Sequence, residues 1–513
     1  MKMMKLIRNI VLAGAVAMSA VSCSEKYFGI ETTDYLTGEK AAEMVENDPE
    51  YLASYVSGLY SFMVQYNAGG TSGSEHDDFG MLSCLMIGDW MAGDIVLHGA
   101  RGWGMYDYAF DYREYDYKRP TQLWSTFYTL INNSNTIIDF FQPGVDPSNP
   151  SSRANLGQAY MVRAISYLYL MMYFQDPTDA SGAFNKEASG VPIVYATRDA
   201  KSSDIIASRQ GRNTLGIVCE HIEENINAAL PLLDGYVRPS KMFIDKQVAQ
   251  GLAARYYLYT QQWEKAAAMA AEARKGYVLM DANRLYSGFM DIEDAEVMWG
   301  FNHTAETQTT YASFFSQMSN DCPGYAGLDQ LGKLIDRKLY DAIPNSDLRK
   351  GLFNGPNGGD AAADASAVAS TLPYAARKFG YMDQWLQDYI YMRASEMYLI
   401  EAESLIHLGK QSEAQAVLAE FAVTRNPAWN QDATLEEVHL QRRIELWGEG
   451  LSYYDRRRNS EACIRSYEGT NHNMEFLNVI VDVPAHHKYW LFQIPQRELQ
   501  ENIYITEKDQ NPL

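Results

Sequence analysis

The sequence predicts a mainly α-helical protein. Apolar side chains recur three and four positions apart through several long segments, the spacing that places them on one face of a helix. Turn-forming residues such as Asp176-Pro177 end these segments. Strands are few, and residues 191–194 and 477–483, which are β-branched and apolar, are the best candidates. With 513 residues, of which 47% are hydrophobic, the chain is long enough for one large helical body or for two or three average domains.

The helical pattern begins near residue 48. Leu52, Val56, Leu59 and Met63 form one apolar stripe, which the Gly- and Ser-rich stretch 68–74 ends. Similar stripes predict further helices over residues 121–141, 155–175 and 214–230.

Two segments are typical of tetratricopeptide-type helical hairpins. In residues 248–273, two apolar stripes flank a turn, and the second stripe is largely alanine, which permits close helix approach. Residues 396–421 repeat the pattern around Gly409. Because a long segment separates the two hairpins, we expect a scaffold wall with insertions and no continuous solenoid. Within that segment, the Gly- and Ala-rich residues 351–371 predict a mobile surface loop.

Charge and cysteine content exclude several functions. The formal net charge of −22 repels phosphate backbones, so nucleic acid is not an expected partner. The five cysteines are scattered and form no C-x-x-C pair, which indicates neither a zinc site nor a disulfide framework. We expect Cys84, Cys219, Cys322 and Cys463 to be buried thiols.

The N-terminus has the features of a bacterial export signal. Three basic residues precede residues 10–20, an apolar stretch too short to cross a bilayer as a helix. Small residues then lead directly into Cys23. This resembles a lipobox, which implies removal of residues 1–22, acylation of Cys23 and a tether over residues 23–40. The alternative is an ordinary signal peptide with a cysteine near its cleavage site.

Five short motifs follow one another along the rest of the chain. They are Trp124, Tyr128, Ile131 and Asn135; Ala159 to Ala164 with Tyr167 and then Gly190-Val191-Pro192; Arg393, Glu396, Tyr398, Leu399, Ala402 and Glu403; Arg442 to Leu446 with Glu449, Gly450, Asp455 and Arg458; and Ile494-Pro495, Glu498 and Gln510-Asn511-Pro512. In this order, behind a lipobox, they resemble the SusD/RagB family of nutrient-binding lipoproteins. Ser452 replaces a usual arginine, Val162 replaces a usual leucine, and the chain ends without the usual Gly-Tyr.

The resemblance implies a fold and a location. The fold would be a single SusD-like helical domain over residues 41–513, with an N-terminal part to about residue 240 and a C-terminal part from about residue 241. The protein would be lipid-anchored at the outer membrane, facing the cell surface. It would capture oligosaccharides and deliver them to a TonB-dependent transporter of the SusC type. Peptide capture, as in RagB-like members, is the alternative.

The charged residues of the motifs have a structural interpretation. Arginines in the third and fourth motifs are spaced along helices with glutamates and aspartates, and we expect inter-helix ion pairs. They are Arg393, Arg442 and Arg443 with Glu396, Glu403, Glu445 and Asp455.

Exposed aromatic rings are the expected ligand contacts, because they stack on the apolar faces of sugar rings while amides and carboxylates bind the hydroxyls. Residues 101–117 contain Trp103, between two glycines, and Tyr106. Aromatic residues occupy every second position from Tyr106 to Tyr112, which equally fits one face of a buried strand. Trp103 is either an exposed ligand contact or a core residue. By resemblance to starch-binding relatives, a second segment contributes Tyr311, Tyr325 and Asn320, whereas Trp299 has the surroundings of a buried strand.

No catalytic, metal or cofactor motif is present. The chain lacks a nucleophile elbow, an H-E-x-x-H sequence, a P-loop and a G-x-G-x-x-G before a helix. Residues 75–78 (Glu-His-Asp-Asp) have metal-ligand side chains without a defined spacing, and we interpret them as a solvated acidic turn. We therefore predict a binding protein without enzymatic activity. The alternatives are a helical glycoside hydrolase, whose carboxylate pair the fold would place, and a tetratricopeptide scaffold for proteins.

Overall fold

A computed structural model describes residues 49–71, 76–99, 101–308, 310–477 and 480–513. The predicted signal peptide, Cys23 and the tether lie outside these residues. Helices dominate the described part of the chain, which confirms the predicted fold class.

The helices and strands have the following bounds. The α-helices are α1 (Pro49–Phe62), α2 (Met81–Ala92), α3 (Met105–Tyr108), α4 (Lys118–Asp139), α5 (Pro150–Phe174), α6 (Ser203–Arg209), α7 (Leu215–Leu232), α8 (Lys246–Tyr259), α9 (Trp263–Ala273), α10 (Ala282–Leu285), α11 (Phe314–Met318), α12 (Arg337–Ala342), α13 (Ala394–His407), α14 (Gln411–Arg425), α15 (Leu435–Glu445), α16 (Ser452–Arg458) and α17 (Gln496–Glu501). The strands are β1 (Ile95–Leu97), β2 (Val297–Phe301), β3 (Lys333–Ile335) and β4 (Tyr389–Arg393).

Local sequence signals explain where the long helices begin. The predicted helix 155–175 starts earlier, at Pro150, because the Asn149 side chain accepts hydrogen bonds from the backbone N–H groups of Ser151 and Ser152. Almost every residue of α5 is buried, so this helix lies at the centre of the body. Helices α4 and α7 pack on either side of it.

The two hairpins are closer together than the sequence suggested. Helices α8 and α9 form the first hairpin and α13 and α14 the second, as predicted, but α9 packs directly on α13. The two hairpins share one apolar core, in which Ala267 packs with Ala402 and Phe421. The segment between them loops out and lets the helices stack side by side, in agreement with the expected scaffold wall with insertions.

Strands form where long-range partners exist. Residues 191–194 form no strand because their backbone groups bond elsewhere, for example from Val194 N–H to the Tyr167 hydroxyl. In the described part of residues 477–483, only Val483 forms a β-bridge, with Cys463. The strand expected around Trp299 is confirmed as β2, which pairs antiparallel with β4, while β1 pairs antiparallel with β3.

The segment 351–371, predicted to be a mobile loop, is tied to the body at its ends. The side-chain amide of Asn354 donates to the carbonyl oxygens of Ser370 and Leu372, at 2.7 and 2.8 Å. A short 3₁₀ helix, Val368–Thr371, closes the segment.

Cys84, Cys219, Cys322 and Cys463 are buried free thiols, as predicted. Among the described residues, no helix combines the length and the apolarity that a membrane span requires.

The predicted ion pairs form a buried network. Arg393 binds Glu296, Glu445 and Glu449, at 2.5, 2.8 and 2.6 Å. Glu445 also binds Arg425 at 3.0 Å and Arg349 at 3.3 Å. These contacts join β2, β4, α14 and α15. The remaining predicted residues are also paired: Arg442 with Asp455, Arg443 with Asp94, Arg255 with Glu396, and Arg458 with Glu403.

Candidate functional site

The β1–β3 pair brings two loops to one place. Leu97, at the end of β1, pairs with Lys333, at the start of β3. The loop that leaves β1 carries Trp103, and the loop that enters β3 carries Tyr325. Backbone hydrogen bonds extend the pairing into both loops, from His98 N–H to the carbonyl oxygen of Gly332 and from Gly99 N–H to that of Gln330. Trp103 and Tyr325 are therefore neighbours although 222 residues apart in numbering.

The β2–β4 pair likewise brings two further loops close together. Phe301, at the end of β2, pairs with Tyr389, at the start of β4. The loop after β2 carries Tyr311, and the loop before β4 carries Trp385. A carboxylate oxygen of Asp388 accepts from the amide of Asn302 at 2.9 Å and from the backbone of His303 at 3.1 Å, which holds the two loops together.

Five rings from these loops and from residue 76 form one aromatic cluster: His76, Trp103, Tyr311, Tyr325 and Trp385. Each ring contacts the next, with centroid distances of 5.7 Å from His76 to Trp103, 6.5 Å from Trp103 to Tyr325, 5.5 Å from Tyr325 to Tyr311 and 6.2 Å from Tyr311 to Trp385. A hydrogen bond of 2.7 Å joins His76 Nδ1 and the Tyr325 hydroxyl. Tyr311 is the most accessible ring, 47% exposed, and the other four are half-buried.

The position of Trp103 depends on both flanking glycines. Gly102 has a φ of +84°, which favours glycine, and a Cβ at Gly104 would lie 2.4 Å from the ring of Trp90. The ammonium group of Lys118 lies 4.9 Å from the centre of the Trp103 ring, in a cation–π contact. Trp103 is thus half-buried, with Lys118 over one face of its ring.

Residues 76–78 support the cluster and do not form the solvated turn that we expected. Asp77 and Asp78 are fully buried, and Glu75 lies outside the described residues. Burial opposes ionisation of Asp77, but Arg119 and Lys118 overcome it and hold the pKa of this carboxyl below its usual range. Burial raises the pKa of Asp78 to about 6, although the backbone N–H of Gly69 donates to it. These contacts fix the chain next to His76.

Tyr106 and Asn320 do not join the aromatic cluster. Tyr106 stacks on Tyr112 at 3.8 Å, and Tyr112 stacks on Tyr117 at 4.2 Å, so Tyr106 belongs to a separate three-ring stack. The predicted alternation is not a strand here, since residues 105–108 form α3. Asn320 is fully buried, and its amide bonds the backbone of Lys333 and Ala376. Asn320 therefore connects backbone segments inside the protein. The prediction that it contacts a ligand is wrong, because its side chain is buried and bonded to the backbone.

Trp385 is the member of the aromatic cluster that sequence reasoning missed. Gln384 and Trp385 both have left-handed backbone conformations, with φ of 69° and 59°. Such conformations cost on the order of 1–3 kcal/mol and cluster at functional sites. The available signal was a tryptophan among polar residues, Asp383 to Gln387, immediately before a strand.

Lys333 lies beneath the loops of the cluster without a charged partner in the described part of the chain. Its ammonium group donates to the carbonyl oxygen of Leu331 at 2.7 Å, and burial lowers its pKa to about 7. An unfolded lysine takes up its proton below about pH 10.4. Between these two values the unfolded state holds the additional proton, so stability falls as pH falls.

Lys333→Met should therefore stabilise the protein by up to about 4 kcal/mol at pH 7, and the gain should vanish above about pH 10.5. Urea unfolding of both proteins at the two pH values measures it. A gain of equal size at both pH values would show that packing, and not the buried amine, is responsible.

The arrangement suits a ligand that offers both apolar faces and hydroxyl groups. Ring planes in the cluster differ by 43° to 80° between successive members from Trp103 to Trp385, so the rings present edges and faces in several directions. Within the described ranges, no group of three or more His, Cys, Asp or Glu side chains is placed to hold a metal ion.

Comparisons with known sequences identify the family. Residues 383–513 match the sequence profile of the SusD family, and residues 94–258 match a profile described as starch-binding associating with outer membrane. The chain belongs to the SusD/RagB family. No curated protein sequence is significantly similar to this SusD-family chain.

Solved structures share the fold of this SusD-family protein. A SusD-like carbohydrate binding protein from Bacteroides vulgatus is 24% identical, with a TM-score of 0.73 over 90% of this chain and 98% of that one. A SusD superfamily protein from Bacteroides thetaiotaomicron is 21% identical, with a TM-score of 0.70 over 90% and 99%. Surface glycan-binding protein A from the same organism, solved with laminarihexaose, is 14% identical, with a TM-score of 0.64 over 90% and 99%.

Proposed function

We propose that this protein captures oligosaccharides through the aromatic cluster and does not cleave them. The observation that carries the proposal is the convergence of Trp103, Tyr311, Tyr325 and Trp385 from four loops held by two small sheets. Loops on a rigid scaffold commonly carry binding residues, and aromatic rings supply apolar area with a fixed geometry. Family membership supports the proposal, as does the laminarihexaose complex of a protein with the same fold.

Affinity electrophoresis of the mature protein tests this function. Gels that contain one neutral polysaccharide each (laminarin, amylose, xyloglucan, arabinoxylan, galactomannan or inulin) should retard it in at least one case. The retarding polysaccharide should release no reducing ends above a vector-only preparation. Release of reducing ends would favour a hydrolase, and retardation by none of them would contradict glycan capture.

The location of the protein follows from the lipobox-like sequence and the family. We propose that acylated Cys23 anchors it to the outer membrane, facing outward, where it delivers its ligand to a SusC-like TonB-dependent transporter. Cys23→Ala should move the protein from the membrane fraction to the soluble fraction without changing its melting temperature, because each buried methylene of an acyl chain contributes about 0.8 kcal/mol. Full retention of the variant in membranes would contradict lipid anchoring.

A further inference from the structure

A groove lies beside α4, apart from the aromatic cluster. Its volume is about 1000 Å³, the upper end of the range for ligand pockets. One wall is the face of α4 that contains Thr121, Ser125 and Thr129. The facing wall includes Tyr195, from the segment after α5, and Tyr504, near the C-terminus.

The polar side chains of the α4 wall have unused hydrogen-bonding capacity. Within the described part of the chain, the hydroxyls of Thr121, Ser125 and Thr129 make no hydrogen bond with the protein. Hydroxyls inside helices commonly donate to the carbonyl four residues earlier, and Ser134 and Thr136 of the same helix do so. The three groove hydroxyls therefore remain available, each with one donor and two acceptor positions.

The spacing of these hydroxyls suits an extended ligand. They occur every fourth residue, which places them about 6 Å apart along the helix. The rings of Trp124 and Tyr128, in contact at 4.8 Å, lie between them and give the groove an aromatic floor. Repeated hydroxyls beside aromatic rings match a chain whose units each present hydroxyls and an apolar face.

The same helix face connects the groove to the aromatic cluster. Lys118, which contacts Trp103, lies one turn before Thr121, and residues 118, 121, 125, 129 and 132 form one stripe. From Lys118 to Asn132 this stripe is about 21 Å long. A ligand bound at Trp103 can thus continue along α4 into the groove.

We propose that the groove beside α4 is a second binding site for the same neutral oligosaccharide chain, which lets the protein prefer long chains over short ones. This inference rests on the proposed function. A neutral chain fits the α4 wall, which beyond Lys118 carries only uncharged polar and aromatic side chains. Of the charged residues on the rest of the lining, Arg497 and Glu501 neutralise each other in an ion pair, which leaves Glu498.

The test compares chain lengths. Laminari- and malto-oligosaccharides, from disaccharides to octasaccharides, and the oligosaccharides of the retarding polysaccharide are titrated into the mature protein. The Thr121→Ala/Ser125→Ala/Thr129→Ala variant should bind octasaccharides at least roughly ten-fold more weakly, since three hydrogen bonds to the ligand are lost together. Its affinity for disaccharides should not change. Thr136→Ala, whose hydroxyl bonds its own helix, is the matched control and should match the wild type at every length.

Four results would overturn the proposal. Unchanged affinity at every length would show that the groove binds no glycan, and equal loss at every length would show that it is no separate site. Unchanged affinity together with lost co-purification of a membrane protein would assign the groove to a protein partner, which the exposed Ile503 at its rim would then contact. If no glycan binds the wild type at all, the proposed function fails first and this inference fails with it.

Discussion

Glu445→Gln should lower the free energy of unfolding by about 3–5 kcal/mol. Glu445 is almost fully buried and contacts Arg349, Arg393 and Arg425. The variant keeps the shape of the side chain but leaves three guanidinium groups with too little negative charge inside the protein. Urea unfolding monitored by circular dichroism measures the loss.

The pH dependence of this loss gives an independent check. Burial opposes ionisation of Glu445, but Arg425, Arg393 and Arg349 overcome it and hold the pKa of this carboxyl well below 4.5. A depressed acid pKa stabilises the folded state above the pKa of the unfolded chain, and this stabilisation is lost as pH falls through the folded pKa. The difference between wild type and variant should therefore be complete at pH 6 and shrink in strong acid.

Glu501→Gln is the matched control for this prediction, because Glu501 pairs with Arg497 on the exposed surface of α17. It should leave unfolding unchanged. If Glu445→Gln also leaves the free energy of unfolding unchanged, the buried network does not stabilise the fold.

Trp103→Ala/Trp385→Ala should reduce glycan affinity roughly a hundred-fold. One stacked ring contributes about 0.5–1.5 kcal/mol beyond its buried area, and the two rings together should approach 3 kcal/mol. Their effects should add approximately, because Tyr325 and Tyr311 separate the two indoles in the cluster. Affinity electrophoresis and calorimetry on the retarding glycan measure the change.

Trp263→Ala provides the control for the loss of an indole. Trp263 is half-buried on the first hairpin, where it stacks on His407 at 3.8 Å. This variant should keep full affinity. Equal weakening by both variants, or a collapse of the melting temperature in the double variant, would place Trp103 and Trp385 in the core and remove them from the site.

Three of the aromatic side chains that the sequence proposes lie together in the aromatic cluster. Trp103 was a candidate because two glycines flank it, and Tyr311 and Tyr325 because they lie in segments that resemble the ligand-binding segments of relatives. Tyr106 and Asn320 satisfied similar criteria and failed. Their partners, Tyr112 and Tyr117 for the first and the backbone of Lys333 and Ala376 for the second, are set by the folded arrangement.

The sequence by itself determined the helical class, the approximate positions of the long helices and the ion-pairing residues, because helical periodicity and capping act within a few residues. Tertiary structure alone decided that the two hairpins stack, that Asp77 and Asp78 are buried and that Trp385 joins the aromatic cluster. The aromatic cluster depends on strands such as β1 and β3, which are three residues long and exist only through pairing across a large separation in sequence. Such pairing leaves no periodic signal in a single segment, since each short strand depends on its partner for hydrogen bonds and burial.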